Sequence, residues 1–179
     1  MTARLRYPLM LARLDARDRA LLQRLSLSAH RLRARSLATA LTHLGGAQAS
    51  ILLCLWPLLV GGWPTRLACH GLATLVLSHL IVQLVKRSVG RSRPSHTMMT
   101  TPLVAAPDRF SFPSGHAAAA LTVGLAYSVM WPTLAAPLFA LALAVGASRV
   151  VLGVHYPGDV AAGQAIALGT HLLLLRLGS

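Results

Sequence analysis

Long uncharged stretches dominate the hydrophobic pattern of this chain. Residues 36–65 carry no charged side chain, residues 67–85 form a second uncharged run, and residues 110–148 form a third of 39 residues. A helix needs about 20 apolar residues to cross the hydrocarbon core of a bilayer, so runs of this length are typical of membrane spans. Backbone hydrogen bonds must be satisfied internally in that core, which favours helices here.

The pattern predicts five membrane-spanning helices. Trp131 and Pro132 interrupt the longest run near its middle, and because proline breaks a helix, we interpret this run as a hairpin of two spans. A last apolar run ends at Arg176. The expected spans lie near residues 46–63, 66–86, 113–130, 133–149 and 158–176. The predicted fold class is therefore an all-α, polytopic membrane helix bundle.

The first 35 residues have a different pattern, which predicts an amphipathic helix lying in the membrane interface. Leucines at helical spacing form an apolar stripe, and arginines form a cationic stripe beside it. These residues are Leu11, Leu14, Leu21 and Leu25, with Arg13, Arg17, Arg24 and Arg31. A solvated basic tail is the alternative interpretation. Residues 1–35 are thus predicted to form a basic segment separate from a membrane-embedded domain over residues 36–179.

Composition supports a membrane protein over a soluble one. Hydrophobic residues make up 55% of the chain and charged residues only 12%, whereas a soluble domain has about 25% charged residues. The net charge of +13 would also suit nucleic-acid binding, but no basic patch with interleaved aromatic residues is present, so no nucleic-acid partner is expected. The basic residues beside apolar stretches are expected to contact anionic membrane lipids.

The distribution of positive charge predicts the orientation in the membrane. With five spans, the N-terminal region, the 87–112 loop and the 150–157 loop lie on one side. That side carries most of the arginine and lysine residues, whereas the other side carries Arg66 and Arg176. The positive-inside rule then places the first side in the cytoplasm. We expect an integral protein of a bacterial cytoplasmic membrane with these two loops on the cytoplasmic side.

Three polar clusters occur at the ends of predicted spans, all on that same side. They are Lys86 to Pro94, Phe112 to His116, and Ser148 to Asp159. Each has a simple structural explanation when taken alone: basic residues anchor span ends, Ser114 is a candidate helix cap, and a lone membrane histidine is more often a hydrogen-bonded core residue. Their occurrence together on one side indicates a functional site.

The spacing within these clusters resembles a known signature. Lys-x6-Arg-Pro, Pro-Ser-Gly-His and Ser-Arg-x5-His-x3-Asp form the three-part pattern of the type 2 phosphatidic acid phosphatase and vanadium haloperoxidase superfamily, and every position is matched here. The resemblance covers about residues 66–176. It implies a membrane lipid phosphatase. Longer membrane members of the family have six spans, so the predicted five depart from that pattern.

The resemblance also implies a role for each matching residue. His155 would be the nucleophile that forms a phosphohistidine, Asp159 would orient its ring, and His116 would be the general acid. The implied phosphate-binding residues are Lys86, Arg93, Ser114, Gly115 and Arg149. Their chemistry is consistent with this role, because guanidinium groups, an ammonium group and the N–H groups of a helix N-terminus all favour a phosphate anion.

No metal ion or cofactor is expected. Outside the N-terminal segment only Asp108 and Asp159 are acidic, too few for a two-metal phosphatase site. Two isolated cysteines in apolar runs are expected to pack as small hydrophobic residues, and six further histidines lack ligand spacing and are expected to be structural. These residues are Cys54 and Cys69, and His30, His43, His70, His79, His96 and His171.

The expected substrate is a polyprenyl- or glycerolipid-linked phosphate or pyrophosphate. Residues 148–157 resemble the small mycobacterial-type decaprenylphosphoryl-5-phosphoribose phosphatases, although this motif is shared widely. Two other functions remain open. A vanadate-dependent haloperoxidase would use a similar pocket, but those members are soluble and larger. A non-catalytic lipid-phosphate binding or transport protein would not need His155 and Asp159.

Overall fold

Helices account for almost all secondary structure in the computed structural model, which describes residues 9–26, 32–61, 64–97, 103–105 and 108–178. Over these residues there is no β-strand, only an isolated bridge between Ser92 and Phe110. The helices are α1 (Leu9–Leu25), α2 (Leu32–Leu44), α3 (Ala47–Val60), α4 (Thr65–Val89), α5 (Pro94–Thr97), α6 (Gly115–Met130), α7 (Ala135–Val151) and α8 (Pro157–Leu177). The predicted all-α fold is confirmed.

Several of these helices are suited to a bilayer. Three helices are each long and apolar enough to span a bilayer: α4, α8, and α7 when it is extended by the short 3-10 turn that precedes it. Helices α2 and α3 meet the same criterion only as a pair, with a bend of 49° between them. Helix α6 is apolar but has only 16 residues. Large side chains such as Leu59, Leu84, Leu143 and Leu172 point away from the bundle. Such a surface suits lipid rather than water, and the protein is an integral membrane protein.

The five predicted spans correspond to α3, α4, α6, α7 and α8, and the main difference lies before the first of them. Helix α2 begins at Leu32 and buries Ala38 and Thr42, so the predicted boundary at residue 35 falls inside a helix. Arg33 is exposed, but Arg35 is half-buried on the same face as Ala38, and its Nη2 donates to the Leu103 carbonyl oxygen (3.2 Å); the charge of these arginines hid this buried face in the sequence. The division into two segments stays a prediction.

The N-terminal amphipathic pattern corresponds to α1. The side chains of Leu11, Leu14 and Arg13, and the whole of Arg31, lie outside the described residues. Of the other predicted stripe residues, Leu21 and Leu25 are exposed, as expected for leucines that face the membrane interface. Leu22, which was not assigned to the stripe, is the leucine that packs against the bundle.

Helix α6 is at the centre of the bundle and packs against α4, α7 and α8. Its first turns contain four consecutive buried alanines, residues 117–120. Small side chains allow membrane helices to approach closely. This packing brings the N-terminal end of α6 beside the C-terminal ends of α4 and α7 and the N-terminal end of α8, which are the positions of the three polar clusters.

Gly163 on α8 permits one of these approaches. A Cβ atom at this position would overlap the Ser114 carbonyl oxygen and lie 3.2 Å from the Ser114 carbonyl carbon. We expect Gly163→Ala to lower the free energy of unfolding by about 1–3 kcal/mol, because backbone atoms cannot yield as a flexible side chain can. Thermal unfolding in detergent measures the loss. Gly169→Ala is the matched control in the same helix, since nothing lies within 4 Å of its Cβ position; equal effects of the two substitutions would contradict the packing argument.

Candidate active site

The three polar clusters meet at one end of the bundle. Helix α4 is capped by Gly90, whose positive φ of 63° turns the chain and whose N–H donates to the Lys86 carbonyl oxygen. The Ser111 N–H donates to the Arg91 carbonyl oxygen (2.8 Å), which joins the first cluster to the residues before the second. The Ser114 N–H donates to the Asp159 carbonyl oxygen (2.9 Å). Backbone hydrogen bonds therefore connect segments far apart in sequence.

Arg93 determines which nitrogen of His155 carries the proton. Arg93 Nη1 donates to the Val154 carbonyl oxygen (2.9 Å) and lies 3.2 Å from His155 Nε2. A guanidinium has no acceptor, so Nε2 must present its lone pair to Arg93 and the ring proton must reside on Nδ1. Asp159 Oδ2 lies 3.4 Å from this Nδ1 atom. The arrangement leaves the Nε2 lone pair directed into a cationic pocket.

The His155 ring is neutral in this environment. Its side chain is 2% exposed, and burial lowers the pKa of His155 to about 4, although the neighbouring Asp159 carboxylate acts in the opposite direction. At neutral pH the imidazole is therefore unprotonated at Nε2. A neutral imidazole that carries a lone pair on Nε2 is the form that can act as a nucleophile.

Arg149 is a buried cation with an unsatisfied edge. Its Nη1 atom donates to Thr42 Oγ1 (2.5 Å), whereas Nε and Nη2 have no hydrogen-bond partner within the described ranges. These two atoms share one edge of the planar group, and such an edge matches two oxygens of a phosphate. Buried donors without a partner are costly, so this edge is suited to a bound anion.

Asp108 holds the other two cations in place. Lys86 Nζ donates to Asp108 Oδ2 (2.8 Å) and to the Phe110 carbonyl oxygen (3.2 Å), and Arg93 Nη2 donates to Asp108 Oδ1 (2.9 Å). Partial burial alone would raise the pKa of Asp108, but the bonds from Lys86 and Arg93 outweigh it and lower that pKa. Asp108 thus stays ionised and orients both cations.

The Pro-Ser-Gly-His segment forms the start of α6. Ser114 is the N-cap and accepts a hydrogen bond from the Ala117 N–H (3.4 Å), which confirms the expected cap and leaves its hydroxyl proton available to a ligand. A Cβ atom at Gly115 would meet only Val82, at 3.8 Å. The protein itself therefore has room for a side chain at this position, and any requirement for glycine would come from a bound ligand. His116 lies within electrostatic range of His155.

The family model of the PAP2 superfamily matches residues 66–179 of this chain. The chain belongs to the PAP2 superfamily. The match covers the three polar clusters and the helices α4 to α8, and the resemblance seen in the sequence is confirmed.

Individual PAP2 proteins resemble this chain over shorter ranges. It is 37% identical over 114 residues to a lipid A 1-phosphatase from Rhizobium etli, covering 59% of this chain and 49% of that protein. It is 44% identical over 94 residues to a decaprenylphosphoryl-5-phosphoribose phosphatase from Mycobacterium tuberculosis, covering 50% of this chain and 49% of that protein. The chain therefore spans about half the length of the curated relatives it matches.

The PAP2 fold is also found in a solved structure. The transmembrane PAP2-type phosphatidylglycerolphosphate phosphatase from Bacillus subtilis superimposes with a TM-score of 0.74 at 23% sequence identity. The superposition covers 92% of this chain and 86% of that protein. It therefore includes much of the chain outside the matched PAP2 segment.

The sequence did not reveal the ionic partners of the PAP2 clusters. Every carboxylate side chain in the protein is paired with a base: Asp15 with Arg19 and Arg91, Asp18 and Asp159 with Arg91, and Asp108 with Lys86 and Arg93. One feature of the sequence could have indicated these ion pairs, namely that only four acidic residues stand against seventeen basic residues. Since a buried carboxylate requires a partner, each acid was a candidate neighbour of a buried base.

The six histidines outside the clusters do not join the PAP2 site as far as the structure describes them. His70 Nε2 and His171 Nδ1 are 3.0 Å apart, near the end of α4 and α8 that is remote from the polar clusters. His79 contacts Gln83 at 3.2 Å on the exposed face of α4. His30 lies outside the described residues. Their structural role stays a prediction.

We expect Arg149→Lys to lower kcat/KM by about 10²–10³-fold, because lysine keeps the charge but offers a single nitrogen in place of the free guanidinium edge. Initial rates of phosphate release over a range of substrate concentrations measure this loss. Arg87→Lys is the matched control, since Arg87 is exposed and next to the site in sequence. Activity of Arg149→Lys within about threefold of the wild type would contradict the two-oxygen contact.

Proposed function

We propose that this protein is a metal-independent lipid phosphate phosphatase that works through a phosphohistidine at His155. The observation that carries the proposal is the buried, neutral His155 ring, whose Nε2 lone pair faces Arg93 (3.2 Å). The free edge of Arg149 adds a site for two phosphate oxygens. A nucleophile beside fixed cations is the arrangement that phosphoryl transfer requires, since its transition state spreads negative charge over the equatorial oxygens.

In the first step, His155 Nε2 attacks phosphorus and the bond from phosphorus to the lipid oxygen breaks. His116 gives a proton to the leaving oxygen, and the lipid alcohol departs. The phosphohistidine ring carries positive charge, which the Asp159 carboxylate stabilises across Nδ1. Lys86, Arg93 and Arg149, with the hydroxyl and backbone N–H groups of Ser114 and Gly115, hold the phosphoryl oxygens.

In the second step, a water molecule attacks phosphorus and gives a proton to His116. The N–P bond breaks, its electron pair returns to Nε2, and inorganic phosphate leaves. The ring is then ready for another cycle, and His116 is again protonated. Fixed cations supply the charge that metal ions supply in other phosphatases, so we expect turnover in the presence of a chelator.

The proposed substrate is a polyprenyl- or glycerolipid-linked phosphate or pyrophosphate. The polar clusters lie at helix ends, where a headgroup phosphate meets the protein while an apolar tail remains among the helices. The names of the relatives support a phosphate on a large lipid, one a lipid A 1-phosphate and the other a decaprenyl-linked phosphoribose. These two names differ in the lipid and share the phosphate group.

We further propose a bacterial cytoplasmic membrane as the location, with the site on the cytoplasmic side. Helix α1, with the exposed Arg17 and Arg24, packs against the same end of α7 and α8 as the polar clusters. Positive charge near short loops favours the cytoplasmic side. A cysteine introduced at His96 in a Cys69→Ser background reports the side through labelling by a membrane-impermeant maleimide in intact cells. Labelling without permeabilisation would refute this orientation.

The test is phosphate release by the purified protein in detergent with EDTA present. The panel contains a polyprenyl monophosphate, a polyprenyl diphosphate, phosphatidylglycerol phosphate, phosphatidic acid and a soluble aryl phosphate. We expect release from at least one lipid phosphate at a higher kcat/KM than from the soluble ester. Release that requires a divalent ion, or binding of every lipid without release, would contradict the proposal. Halide oxidation with added vanadate would favour a haloperoxidase.

A further inference from the structure

Helix α1 lies outside the matched PAP2 segment, yet it packs against the active-site end of the bundle. Its contacts are with α7 and α8. Leu22 is 3% exposed and packs with Val150 and Tyr156, and Tyr156 is the residue that follows His155. The hydrophobic contact therefore brings α1 to the loop that carries the proposed nucleophile.

Arg91 connects α1 to the carboxylate beside His155. Its Nη1 atom donates to Asp159 Oδ1 (2.6 Å) and to Asp18 Oδ2 (2.8 Å), and its Nη2 atom donates to Asp15 Oδ1 (2.6 Å). The guanidinium also stacks on the Tyr156 ring, 4.0 Å from its centroid. Burial alone would lower the pKa of Arg91, but the three carboxylates outweigh it and raise that pKa. A permanent cation thus lies among three acids.

The second oxygen of Asp18 binds the start of α8. Asp18 Oδ1 accepts a hydrogen bond from the Gly158 N–H (2.7 Å), and Gly158 precedes Asp159. A negative charge at a helix N-terminus is favourable because it meets the unpaired N–H groups there. A Cβ atom at Gly158 would lie 2.6 Å from Asp18 Oδ2. Glycine at this position is therefore what allows the Asp18 carboxylate to dock.

These contacts fix the orientation of Asp159. Its Oδ2 atom accepts from the Tyr156 N–H (2.8 Å) and faces His155 Nδ1 (3.4 Å), whereas its Oδ1 atom is held by Arg91. A carboxylate bound at both oxygens cannot rotate. If Asp15 and Asp18 no longer share Arg91, the guanidinium fork is free to engage both oxygens of Asp159 and to compete with Nδ1 for Oδ2.

We infer that α1 is a positioning element for the His155–Asp159 pair, in which Asp15 and Asp18 hold Arg91 and thereby keep the Asp159 carboxylate directed at Nδ1. The inference rests on the proposed function of His155. It assigns a role to three residues, Asp15, Asp18 and Arg91, that touch neither phosphate nor the reacting atoms in the proposed mechanism. The N-terminal segment is then a part of the working site as well as a membrane-associated helix.

Two variants test the inference by different means. Asp18→Asn removes the charge that holds Arg91, and Gly158→Ala blocks docking without changing any charge. We expect each to lower kcat by about tenfold and to leave KM within about twofold, because the phosphate-binding cations are untouched while the transition state loses support. Quenched-flow measurement of phosphoenzyme should show slower formation in both variants. Unchanged kcat in both, or a higher KM with unchanged kcat, would overturn the inference.

Control variants separate docking from membrane attachment and from helix changes. Arg24→Gln removes an exposed cation of α1 that lies outside the Arg91 cluster, and we expect wild-type kcat and KM. Gly169→Ala makes the same substitution as Gly158→Ala elsewhere in α8, where its Cβ has free space. A kcat loss in Arg24→Gln equal to that in Asp18→Asn would show that α1 acts through lipid attachment, and would also overturn the inference.

A readout independent of turnover separates this inference from the proposed function. In protein with ¹⁵N-labelled histidine, the Nδ1–H signal of His155 is assigned by its loss in His155→Ala. We expect Asp18→Asn and Gly158→Ala to shift that signal, and hydrogen exchange of α1 amides to rise in both. An unshifted signal would refute the positioning role. If the wild type releases no phosphate from any lipid but the signal shifts, the proposed function fails and the positioning of the His155 ring stands.

Discussion

His155→Ala abolishes phosphate release and lowers kcat by at least about 10⁴-fold, because the reaction loses the atom that bonds to phosphorus. The remaining cations still bind and polarise the phosphate, but they cannot divide the hydrolysis into two easier steps. The substitution leaves the cradle of Arg93, Lys86 and Asp108 in place. We therefore expect Kd for a lipid phosphate to change much less than kcat.

Trapping of the phosphoenzyme measures the same loss directly. Substrate labelled with ³²P is mixed with the protein and quenched in alkali, where a phosphohistidine survives, and the labelled protein is counted. The wild type should carry label and His155→Ala should carry none. His79→Ala is the matched control, since His79 is exposed and contacts only Gln83 among the interactions described for it. Label retained in His155→Ala would place the nucleophile on another residue.

The convergence of the three clusters could be predicted from sequence because each cluster is fixed to a span end. Lys86 lies in the last turn of α4, Arg149 in the last turn of α7, and Asp159 in the first turn of α8. Spans that alternate in direction bring these ends to one face of the membrane. The order of apolar runs therefore determined where the polar clusters lie, and the helix ends in the structure agree with it.

The contacts of α1 could not be predicted in the same way. Arg91 meets Asp18 and Asp15 across 73 and 76 residues, and no apolar run fixes their approach. The leucine pattern indicated which face of α1 is apolar but did not identify Leu22 as the residue that packs on Tyr156. Such pairings depend on the tertiary packing of one helix on two others, and the spacing of residues in the sequence does not indicate this packing.

The proton position on His155 was also beyond the sequence. The resemblance assigned a nucleophile and an orienting acid, but it did not identify the reacting nitrogen. Only the position of Arg93 Nη1 against Nε2 makes Nδ1 the protonated atom. This assignment has a direct consequence for the substitution of Asp159 by its uncharged counterpart.

Asp159→Asn lowers kcat by about 10³–10⁴-fold, because the amide cannot replace both carboxylate oxygens. Asp159 accepts from Arg91 at Oδ1 and from the Tyr156 N–H at Oδ2, beside His155 Nδ1. The amide oxygen is drawn to the charged Arg91, which leaves the amide N–H group facing Nδ1. That donor requires a lone pair on Nδ1 while Arg93 still requires one on Nε2, so neither neutral form of the ring satisfies both donors and the ring loses the orientation that directs Nε2 at phosphorus.

The pH profile distinguishes this loss of ring orientation from a simple change in protonation. The pKa of His155 is already about 4, with Asp159 acting to raise it, so the loss of the carboxylate lowers that pKa further. His155 is then neutral in both proteins from about pH 5 upward. The ratio of wild-type to Asp159→Asn rates at each pH cancels the ionisation of the substrate, and we expect it to stay constant from about pH 5 to 8. A ratio that changes with pH across this range would show that Asp159 acts through protonation of the ring and not through its orientation.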